Sequence, residues 1–320
     1  MMKNKIVILD GHTLNPGDLS WDELDELGEV ILYERTSQSE IQGRIADANI
    51  ILTNKVPLGT EIISGLPDLK YIGVTATGYN IIDTEAAKKQ GIVVTNVGGY
   101  GTDSVAQHTF ALILEISNKV GQYSASVKNG DWYNAKDWTY TLQPLVELKG
   151  KTLGIVGFGT IGKKVAEIAR VFGMNVISFH KHPERDRVPE VRFVDFEELM
   201  ASSDVISLHC PLTKENHEMI NKETLQKVRN NAILINTSRG GLINHVDLYD
   251  AVNSGKIGGV GLDVIDMEPP PKRYPLLSHP KCIVTPHIAW ASYESRKRLL
   301  EGVILNLKSY LKGKTINRIF

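Results

Sequence analysis

Three glycines between an apolar run and a helical pattern constrain the fold of this chain more than any other feature. Residues 153–156 have the composition of a buried strand, Gly157, Gly159 and Gly162 follow them, and residues 163–172 have the pattern of an amphipathic helix. In such a turn the first glycine allows a tight bend, the second lets a pyrophosphate approach the backbone, and the third lets the helix pack closely on the strand. The amides at the start of the helix then bind the anion. The spacing therefore predicts a dinucleotide-binding turn.

Short runs rich in β-branched residues alternate with helical patterns along all 320 residues. This alternation is typical of βαβ units and parallel sheets. The first series of predicted strands covers residues 5–10, 29–33, 49–53, 71–75 and 92–96. The second series covers residues 152–157, 176–179, 205–209, 232–236, 258–264 and 283–286. The sequence predicts an α/β protein with two doubly wound parallel-sheet domains.

Two serines predict helix starts in the first series, because each is followed three positions later by glutamate or glutamine. They are Ser20, followed by Glu23, and Ser39, followed by Gln42. Gly28 is predicted to end the first of these helices, since glycine readily takes the left-handed conformation that closes a helix.

The order of the two series predicts a discontinuous domain. A long helix over residues 102–120 separates them, and a last helix over about residues 292–311 follows the second. If that last helix packs back on the first series, residues 1–100 and 288–320 form one domain and residues 101–287 form an inserted one. Within the insertion, residues 121–150 show little strand character but carry Trp132, Tyr133, Trp138 and Tyr140. Exposure of these aromatic side chains would be costly, which favours burial against another subunit or over a cleft.

Composition excludes several classes of protein. The chain has 36 basic and 37 acidic side chains and a formal charge of −1. Nucleic-acid and membrane-surface proteins need a basic excess, so neither partner is expected. Two cysteines, Cys210 and Cys282, offer no disulfide framework. No run approaches the ~20 apolar residues of a membrane helix. We therefore predict a soluble cytoplasmic enzyme.

Three polar residues at the ends of second-series strands could carry chemistry: Arg239, Glu268 and His287. Each is ordinary by itself, since an arginine in a turn, an acid before a proline and a lone histidine all have structural explanations. Together they match the reduction of a keto acid, which needs a cation for the carboxylate and the polarised carbonyl, a proton donor and a hydride source. A carboxylate beside a histidine keeps it protonated, and Glu268 is the expected partner of His287.

The end of the second strand of this series carries His180, Lys181 and His182, about twenty residues beyond the glycines. An acidic residue at this place binds the ribose 2′-hydroxyl of NAD. A positive group would instead tolerate or attract the 2′-phosphate of NADP. The alternative interpretation is a solvated loop with incidental charge. Both NAD and NADP are therefore candidate cofactors.

These features taken together resemble the D-isomer-specific 2-hydroxyacid dehydrogenases. The resemblance covers nearly the whole chain and rests on a collinear set of motifs: the glycines 157–162, Thr237-Ser238-Arg239-Gly240, Gly261-Leu262-Asp263-Val264 with Glu268-Pro269, Pro286-His287-Ile288, Thr77-Gly78-Tyr79-Asn80-Ile81-Ile82-Asp83 and Val105-Ala106-Gln107-His108. The opening Asp10-Gly11-His12 is most similar to the branch of glycerate dehydrogenases and hydroxypyruvate reductases. The family usually has an acid at the position of His180 and often a glutamate at that of Gln107.

The resemblance implies a flavodoxin-like substrate domain split by an inserted Rossmann domain, with the active site in the cleft between them. It implies catalytic roles for Arg239, Glu268 and His287. Cofactor-binding residues by the same carry-over are Thr77, Gly157, Gly159, Thr160, Ile161, Gly162, His180, Lys181, Cys210, Pro211, Thr237 and Asp263. Substrate-binding residues are Lys55, Ala76, Thr77, Gly78, Arg239 and His287. Cys210 also has a plain packing interpretation, and Lys55 could be an exposed loop lysine.

The function implied is reversible reduction of hydroxypyruvate or glyoxylate to the D-2-hydroxy acid by NAD(P)H, without a metal. The resemblance also implies a homodimer in which residues 121–150 form a dimerisation arm. Two alternatives lie within the same enzyme class, a D-lactate-type dehydrogenase and a phosphoglycerate dehydrogenase. An alternative from another class is a dinucleotide-sensing, corepressor-like binding protein.

Overall fold

The computed structural model describes residues 4–320, which divide into two compact units. The first unit comprises the described residues up to Gly101 together with Ala291–Phe320, and the second comprises Thr102–Trp290. Each unit contains one parallel sheet with helices, so the predicted α/β class is confirmed.

The first unit is built on a five-stranded parallel sheet with the order β2-β1-β3-β4-β5. Its strands are β1 Lys5–Ile8, β2 Glu29–Leu32, β3 Ile50–Thr53, β4 Tyr71–Val74 and β5 Val93–Thr95. All five predicted strands are confirmed, each one or two residues shorter than expected. The central strands β3 and β4 are buried along their whole length, as parallel strands covered on both faces must be.

Six α-helices accompany this sheet in the described part of the unit: α1 Gly11–Leu14, α2 Asp22–Asp25, α3 Ile41–Ile45, α4 Thr60–Ser64, α5 Thr84–Lys89 and the C-terminal α13 Tyr293–Leu311. Ser292 caps α13 by accepting the Ser295 N–H. The buried Arg296 of this helix makes two 2.6 Å hydrogen bonds to the Asp18 carboxylate. The last helix therefore packs against residues from the beginning of the chain.

Both predicted serine caps are wrong in detail. The Ser20 hydroxyl accepts the Asp22 N–H, which makes a turn before α2 and no capping box. The second capping box pairs Ser37 with Glu40, because a 3₁₀ turn precedes α3 and moves the start by two residues. Gly28 lies three residues beyond the end of α2, where a side chain would clash with the Asn4 carbonyl. Close backbone approach explains this glycine.

The second unit is built on a seven-stranded parallel sheet with the order β12-β11-β10-β9-β6-β7-β8. Its strands are β6 Thr152–Val156, β7 Asn175–Phe179, β8 Arg192–Phe193, β9 Val205–Leu208, β10 Ala232–Asn236, β11 Ile257–Leu262 and β12 Cys282–Val284. Only β8 was not predicted, since two residues are too few for a periodic pattern. From β6 the chain adds β7 and β8 on one side, and then returns to add β9 to β12 on the other side of β6. The strand order therefore switches between β6 and β9. Ligands bind beside the carboxyl ends of strands at such a switch point.

The helices of this unit are α6 Thr102–Asn118, α7 Val120–Lys128, α8 Thr160–Val171, α9 Pro183–Asp186, α10 Phe196–Ser202, α11 Lys222–Lys227 and α12 His245–Asn253. The predicted helix over 102–120 ends at Asn118, because Lys119 adopts a left-handed conformation with φ +53°. Residues 129–151 contain neither helix nor strand. Within them, Tyr133 is 93% and Trp138 89% exposed in the single chain. No helix in residues 4–320 has the length and apolar character to cross a bilayer.

Packing of α6 on β11 depends on a glycine that has no room for a side chain. A Cβ at Gly259 would collide with the Ile116 side chain of α6. We expect Gly259→Ala to lower the free energy of unfolding by about 1–3 kcal/mol, measured by urea unfolding. Gly43→Ala is the matched control, because nothing lies within 4 Å of the added Cβ and the change falls inside α3. Equal stability of the two variants would contradict this packing argument.

Candidate active site

The three glycines after β6 take the conformations that the sequence pattern predicts for a pyrophosphate-binding turn. Gly157 has φ +96°, and a Cβ there would lie 2.7 Å from the Cys210 nitrogen. A Cβ at Gly162 would collide with the Gly157 carbonyl, whereas a Cβ at Gly159 would meet nothing within 4 Å. Thr160 and Ile161 then begin α8, whose first amides lack partners within the helix. The turn thus fits a dinucleotide pyrophosphate: two glycines are needed for packing, and the third leaves open space.

His180 is held inside a hydrogen-bonded network at the end of β7. Its Nδ1 accepts the Phe158 N–H at 3.1 Å, and its Nε2 lies 2.9 Å from the Asp186 carboxylate. A backbone N–H can only donate, so Nδ1 carries no proton and the single ring proton is on Nε2. His180 is therefore neutral and braces the glycine turn. The next residue, Lys181, is exposed and carries a positive charge at this strand end.

Asp186 was not singled out from the sequence, although it lies beside His180. Lys163 binds one of its oxygens at 2.7 Å, and Arg185 binds the other at 2.8 Å. Hydrogen bonds from Lys163, Arg185 and His180 hold the pKa of Asp186 well below its usual range. An acid is thus present near the end of β7, but it comes from α9, and Lys163 and Arg185 compensate its charge.

The loops that carry Arg239 and Glu268 touch directly. A Cβ at Gly240 would collide with the Ile265 carbonyl and the Asp266 nitrogen, so the two backbones pack against each other without an intervening side chain. Asn236 fixes the Arg239 turn by donating to the Arg239 carbonyl at 2.8 Å. The sequence predicted both residues for one site, and the structure places their loops side by side.

His287 and Glu268 form a close pair. The His287 Nδ1 lies 2.6 Å from Glu268 Oε2, and the other oxygen of Glu268 accepts the Ile265 N–H at 3.1 Å. His287 itself adopts a left-handed backbone with φ +56°, which costs about 1–3 kcal/mol in a residue with a side chain. The pairing fixes the orientation of the ring and leaves Nε2 as the nitrogen available for proton transfer.

Asp263 holds the backbone around His287 in place. Its carboxylate accepts the Thr285 hydroxyl at 2.6 Å and the Ile288 and Ala289 N–H groups at 2.8 Å each. The residue is 1% exposed, and its own carbonyl accepts the His287 N–H at 2.9 Å. These contacts make Asp263 an anchor of the histidine loop. Its predicted contact with a cofactor stays a prediction.

The remaining residues predicted for the cofactor lie after β9 and β10. Cys210 is a thiol whose pKa burial raises to about 11, and its carbonyl accepts the Ser238 hydroxyl at 2.5 Å. The Asn216 side chain donates to the Pro211 carbonyl at 2.8 Å. Thr237 is 9% exposed, with its hydroxyl 3.1 Å from that of Thr109. Each of these residues thus makes a hydrogen bond that holds the turns after β9 and β10.

A further residue at the carboxyl edge, His209, was not predicted. It follows β9, and its Nε2 lies 2.8 Å from the Ser207 hydroxyl. Burial lowers the pKa of His209 to about 4. The glycine turn packs on it, since a Cβ at Gly157 would meet its carbonyl carbon at 2.7 Å. The sequence holds no signal for this beyond the position at a strand end.

The residues predicted for the substrate in the first unit follow the carboxyl ends of two central strands. Lys55 comes shortly after β3, and Ala76, Thr77 and Gly78 come after β4. The Lys55 N–H donates to the buried Asp10 carboxylate at 2.6 Å. Across residues 4–320, no group of three or more His, Cys, Asp or Glu side chains is arranged to hold a metal.

A comparison with protein families identifies the second unit. Residues 110–289, more than half of the chain, match the NAD-binding domain of the D-isomer-specific 2-hydroxyacid dehydrogenases. The chain belongs to this family. Its glycine turn and its His287–Glu268 pair are thus part of a dehydrogenase of the 2-hydroxy acid class, as the motifs predicted.

Individual relatives extend the likeness to the whole chain. A hydroxypyruvate reductase of Blautia hydrogenotrophica is 46% identical over 318 residues, which cover 98% of each chain. A glycerate dehydrogenase of Methylorubrum extorquens is 40% identical over 319 residues, which cover 99% of each chain. Among solved structures, an acyclic imino acid reductase in complex with NADPH and D-Arg is 32% identical with a TM-score of 0.88, covering 99% of this chain and all of the other.

The lowered pKa of His209 predicts an acid-sensitive fold. An unfolded histidine titrates near 6.5 and His209 near 4, so between these values the unfolded chain binds more protons. The free energy of unfolding should therefore fall as the pH drops from about 6.5 to about 4, by up to about 3 kcal/mol from this residue. Urea unfolding across this range should show a steeper loss in the wild type than in His209→Gln. The exposed His182→Gln should keep the wild-type slope, and parallel profiles for all three proteins would contradict the prediction.

Proposed function

We propose that the protein reduces hydroxypyruvate and glyoxylate to D-glycerate and glycolate with NAD(P)H, in a reversible reaction. Relatives named hydroxypyruvate reductase and glycerate dehydrogenase over the full length of the chain support this choice of substrates. The observation that carries the chemistry is the 2.6 Å pairing of His287 Nδ1 with Glu268, which presents Nε2 as a proton donor.

In the proposed mechanism, His287 Nε2 gives its proton to the carbonyl oxygen of the keto acid. Glu268 orients the imidazole and stabilises its charged form, as a carboxylate partner does for a catalytic histidine. Arg239 stabilises the negative charge that develops on the carbonyl oxygen. The reduced dinucleotide, when bound, supplies the hydride for the carbonyl carbon. The reverse reaction uses neutral His287 as the base.

The carboxylate of the substrate is assigned to residues of the first unit. We propose that it is bound by backbone amides near Ala76, Thr77 and Gly78 and by the side chain of Lys55. A carboxylate accepts several N–H groups at once, and the amides after β4 offer such a set. Thr77 is exposed and Gly78 half-buried, which supports their availability to a ligand.

The cofactor proposal is that both NADH and NADPH bind. The glycine turn and α8 would hold the pyrophosphate, with Thr160 and Ile161 at the helix start, and Thr237, Cys210, Pro211 and Asp263 would line the rest. His180 is neutral and the charge of Asp186 is compensated by its basic partners. Neither a free carboxylate nor a cationic His180 would therefore favour one dinucleotide over the other at the ribose. Exposed Lys181 would pair with a 2′-phosphate. A structural neighbour that holds NADPH supports this assignment.

We further propose a homodimer in which residues 121–150 act as the dimerisation arm. The support is the exposure of Trp132, Tyr133 and Trp138 in the single chain, since such aromatic surface usually marks an interface. The proposed location is the cytoplasm, where the unpaired Cys210 and Cys282 would stay reduced.

Removal of the proposed proton donor tests the mechanism. His287→Ala should lower kcat with hydroxypyruvate by at least about 100-fold, because general acid catalysis contributes roughly 10²–10⁴-fold. The dissociation constant for NADH, measured by fluorescence titration, should stay within about twofold, since the glycine turn is untouched. His279→Ala is the matched control and should keep normal turnover. Near-normal kcat in His287→Ala would refute the proton-donor role.

A substrate panel separates the alternative functions. Wild-type turnover is measured with NADH and NADPH against hydroxypyruvate, glyoxylate, pyruvate and phosphohydroxypyruvate. The proposal expects the highest kcat/KM for the first two. A preference for pyruvate or for the phosphorylated acid would instead indicate a D-lactate-type or a phosphoglycerate dehydrogenase. Dinucleotide binding without turnover on any of the four would favour the corepressor-like alternative.

The cofactor proposal predicts a selective effect at Lys181. Lys181→Ala should raise the dissociation constant of NADPH about tenfold to 100-fold, the effect of removing a hydrogen bond to a charged group. The dissociation constant of NADH should not change, because it lacks the 2′-phosphate. Lys227→Ala, which removes an exposed lysine that pairs with Glu197, serves as the control. Parallel losses for both dinucleotides would exclude a 2′-phosphate contact.

A further inference from the structure

Three consecutive carbonyl groups after β4 are all tied into the body of the first unit. The Thr75 carbonyl accepts the side-chain amide of Asn54 at 2.5 Å. The Ala76 carbonyl accepts the Val97 N–H at 3.1 Å, and the Thr77 carbonyl accepts the side-chain amide of Asn96 at 2.7 Å. Two of the three hydrogen bonds therefore come from asparagine side chains.

The N–H groups that belong to the same peptide planes face the other way. In a planar trans peptide, the N–H of one residue points opposite to the C=O of the residue before it. The carbonyls of Ala76 and Thr77 are both bound from the β5 side, by Val97 and Asn96, so the N–H groups of Thr77 and Gly78 both point away from β5. The Thr75 carbonyl is bound from the opposite side of β4, by Asn54 after β3, so the Ala76 N–H points the other way. Within residues 4–320, none of these three N–H groups has an acceptor. Two successive N–H groups that point to the same side, here those of Thr77 and Gly78, form a concave site for an anion.

The two asparagines are themselves held by buried polar groups. Asn54 is 4% exposed, and its N–H donates to the Asp10 carboxylate at 2.8 Å. Asp10 is 7% exposed and also accepts the Lys55 N–H, so one carboxylate fixes both residues of this loop. Burial raises the pKa of Asp10, and the amide donors oppose that rise.

Asn96 is held by the C-terminal helix and by the residues that follow it. The buried Asn306 of α13 donates to the Asn96 carbonyl at 2.8 Å. Asn317 in turn donates to the Asn306 side chain at 2.8 Å, and its carbonyl accepts the Asn96 N–H. The position of the Asn96 amide is thus set by contacts that do not involve residues 75–78.

We propose that Asn54 and Asn96 are positioning residues of the substrate-carboxylate site, which fix the carbonyls of Thr75 and Thr77 and so hold this turn in the orientation that presents the Thr77 and Gly78 N–H groups to the ligand. This inference rests on the proposed function, which assigns the carboxylate to these amides. Asp10 supports the arrangement through Asn54. Both side-chain amides donate to backbone carbonyls, so their effect on binding passes through the backbone.

The decisive variant is Asn96→Ala, which removes one amide donor from a half-buried position. In this variant the Thr77 carbonyl loses the hydrogen bond from the Asn96 side chain, so the peptide plane between Thr77 and Gly78 can rotate. With the enzyme saturated with NADH, the dissociation constant of oxamate should rise about tenfold, and the KM for glyoxylate should rise by a similar factor. The dissociation constant of NADH should be unchanged and kcat should stay within about threefold. Asn54→Ala should have the same pattern, which keeps the test available if one variant folds poorly.

Asn49→Ala is the matched control. Asn49 lies at the opposite end of β3, where its side chain also bridges two segments by accepting the Lys5 N–H and donating to the Asp68 carbonyl. The Asn49→Ala variant should bind oxamate as the wild type does. A second comparison uses glyoxylate and methyl glyoxylate, because the ester lacks the negative charge. The ratio of their kcat/KM values should fall in Asn96→Ala and Asn54→Ala but not in Asn49→Ala.

Two results would overturn the inference. One is an oxamate dissociation constant in both variants equal to that of Asn49→Ala. The other is an equal loss of kcat/KM for the acid and the ester, which would indicate general damage to the fold. Failure of the proposed function would appear in the wild type, as absence of turnover with every keto acid. Oxamate binding does not need turnover, so it would still decide the role of the asparagines.

Discussion

The direction of the strands is the constraint on which the rest of this structure depends. In a parallel sheet every crossover returns to the amino edge, so every strand ends at the same carboxyl edge. Each unit therefore collects the turns that follow its strands on one side. In the second unit these turns carry the glycines, Arg239 and Asp263. In the first they carry Asp10, Asn54 and the amides after β4.

Buried carboxylates organise the turns in both units. Asp263 binds two N–H groups and a hydroxyl around His287, and Asp10 binds the N–H groups of two residues after β3. A carboxylate removed from water is costly unless several donors satisfy it, so each of these acids fixes the loop that supplies its donors. In both cases the acid supports the geometry of the site through the backbone.

The sequence predicted those features that depend on local pattern. Runs of β-branched residues marked the strands, and the spacing of the glycines gave three distinct backbone requirements that the structure meets at Gly157, Gly159 and Gly162. Features that depend on where a side chain ends in space could not be predicted in this way. Asp186 reaches His180 only because α9 turns it back, and Ser37 rather than Ser39 begins a helix because a 3₁₀ turn intervenes. The role of His180 needed the position of the Phe158 amide, which no spacing reveals.

The contact at Gly240 has a consequence for any attempt to give this scaffold a new substrate. The Arg239 turn and the Glu268 loop share an interface one backbone thick, with space for hydrogen alone at residue 240. Lengthening or reshaping one of the two loops must therefore displace the other. A redesign of the substrate specificity would therefore have to change the Arg239 and Glu268 loops together, in a library that varies both loops at once.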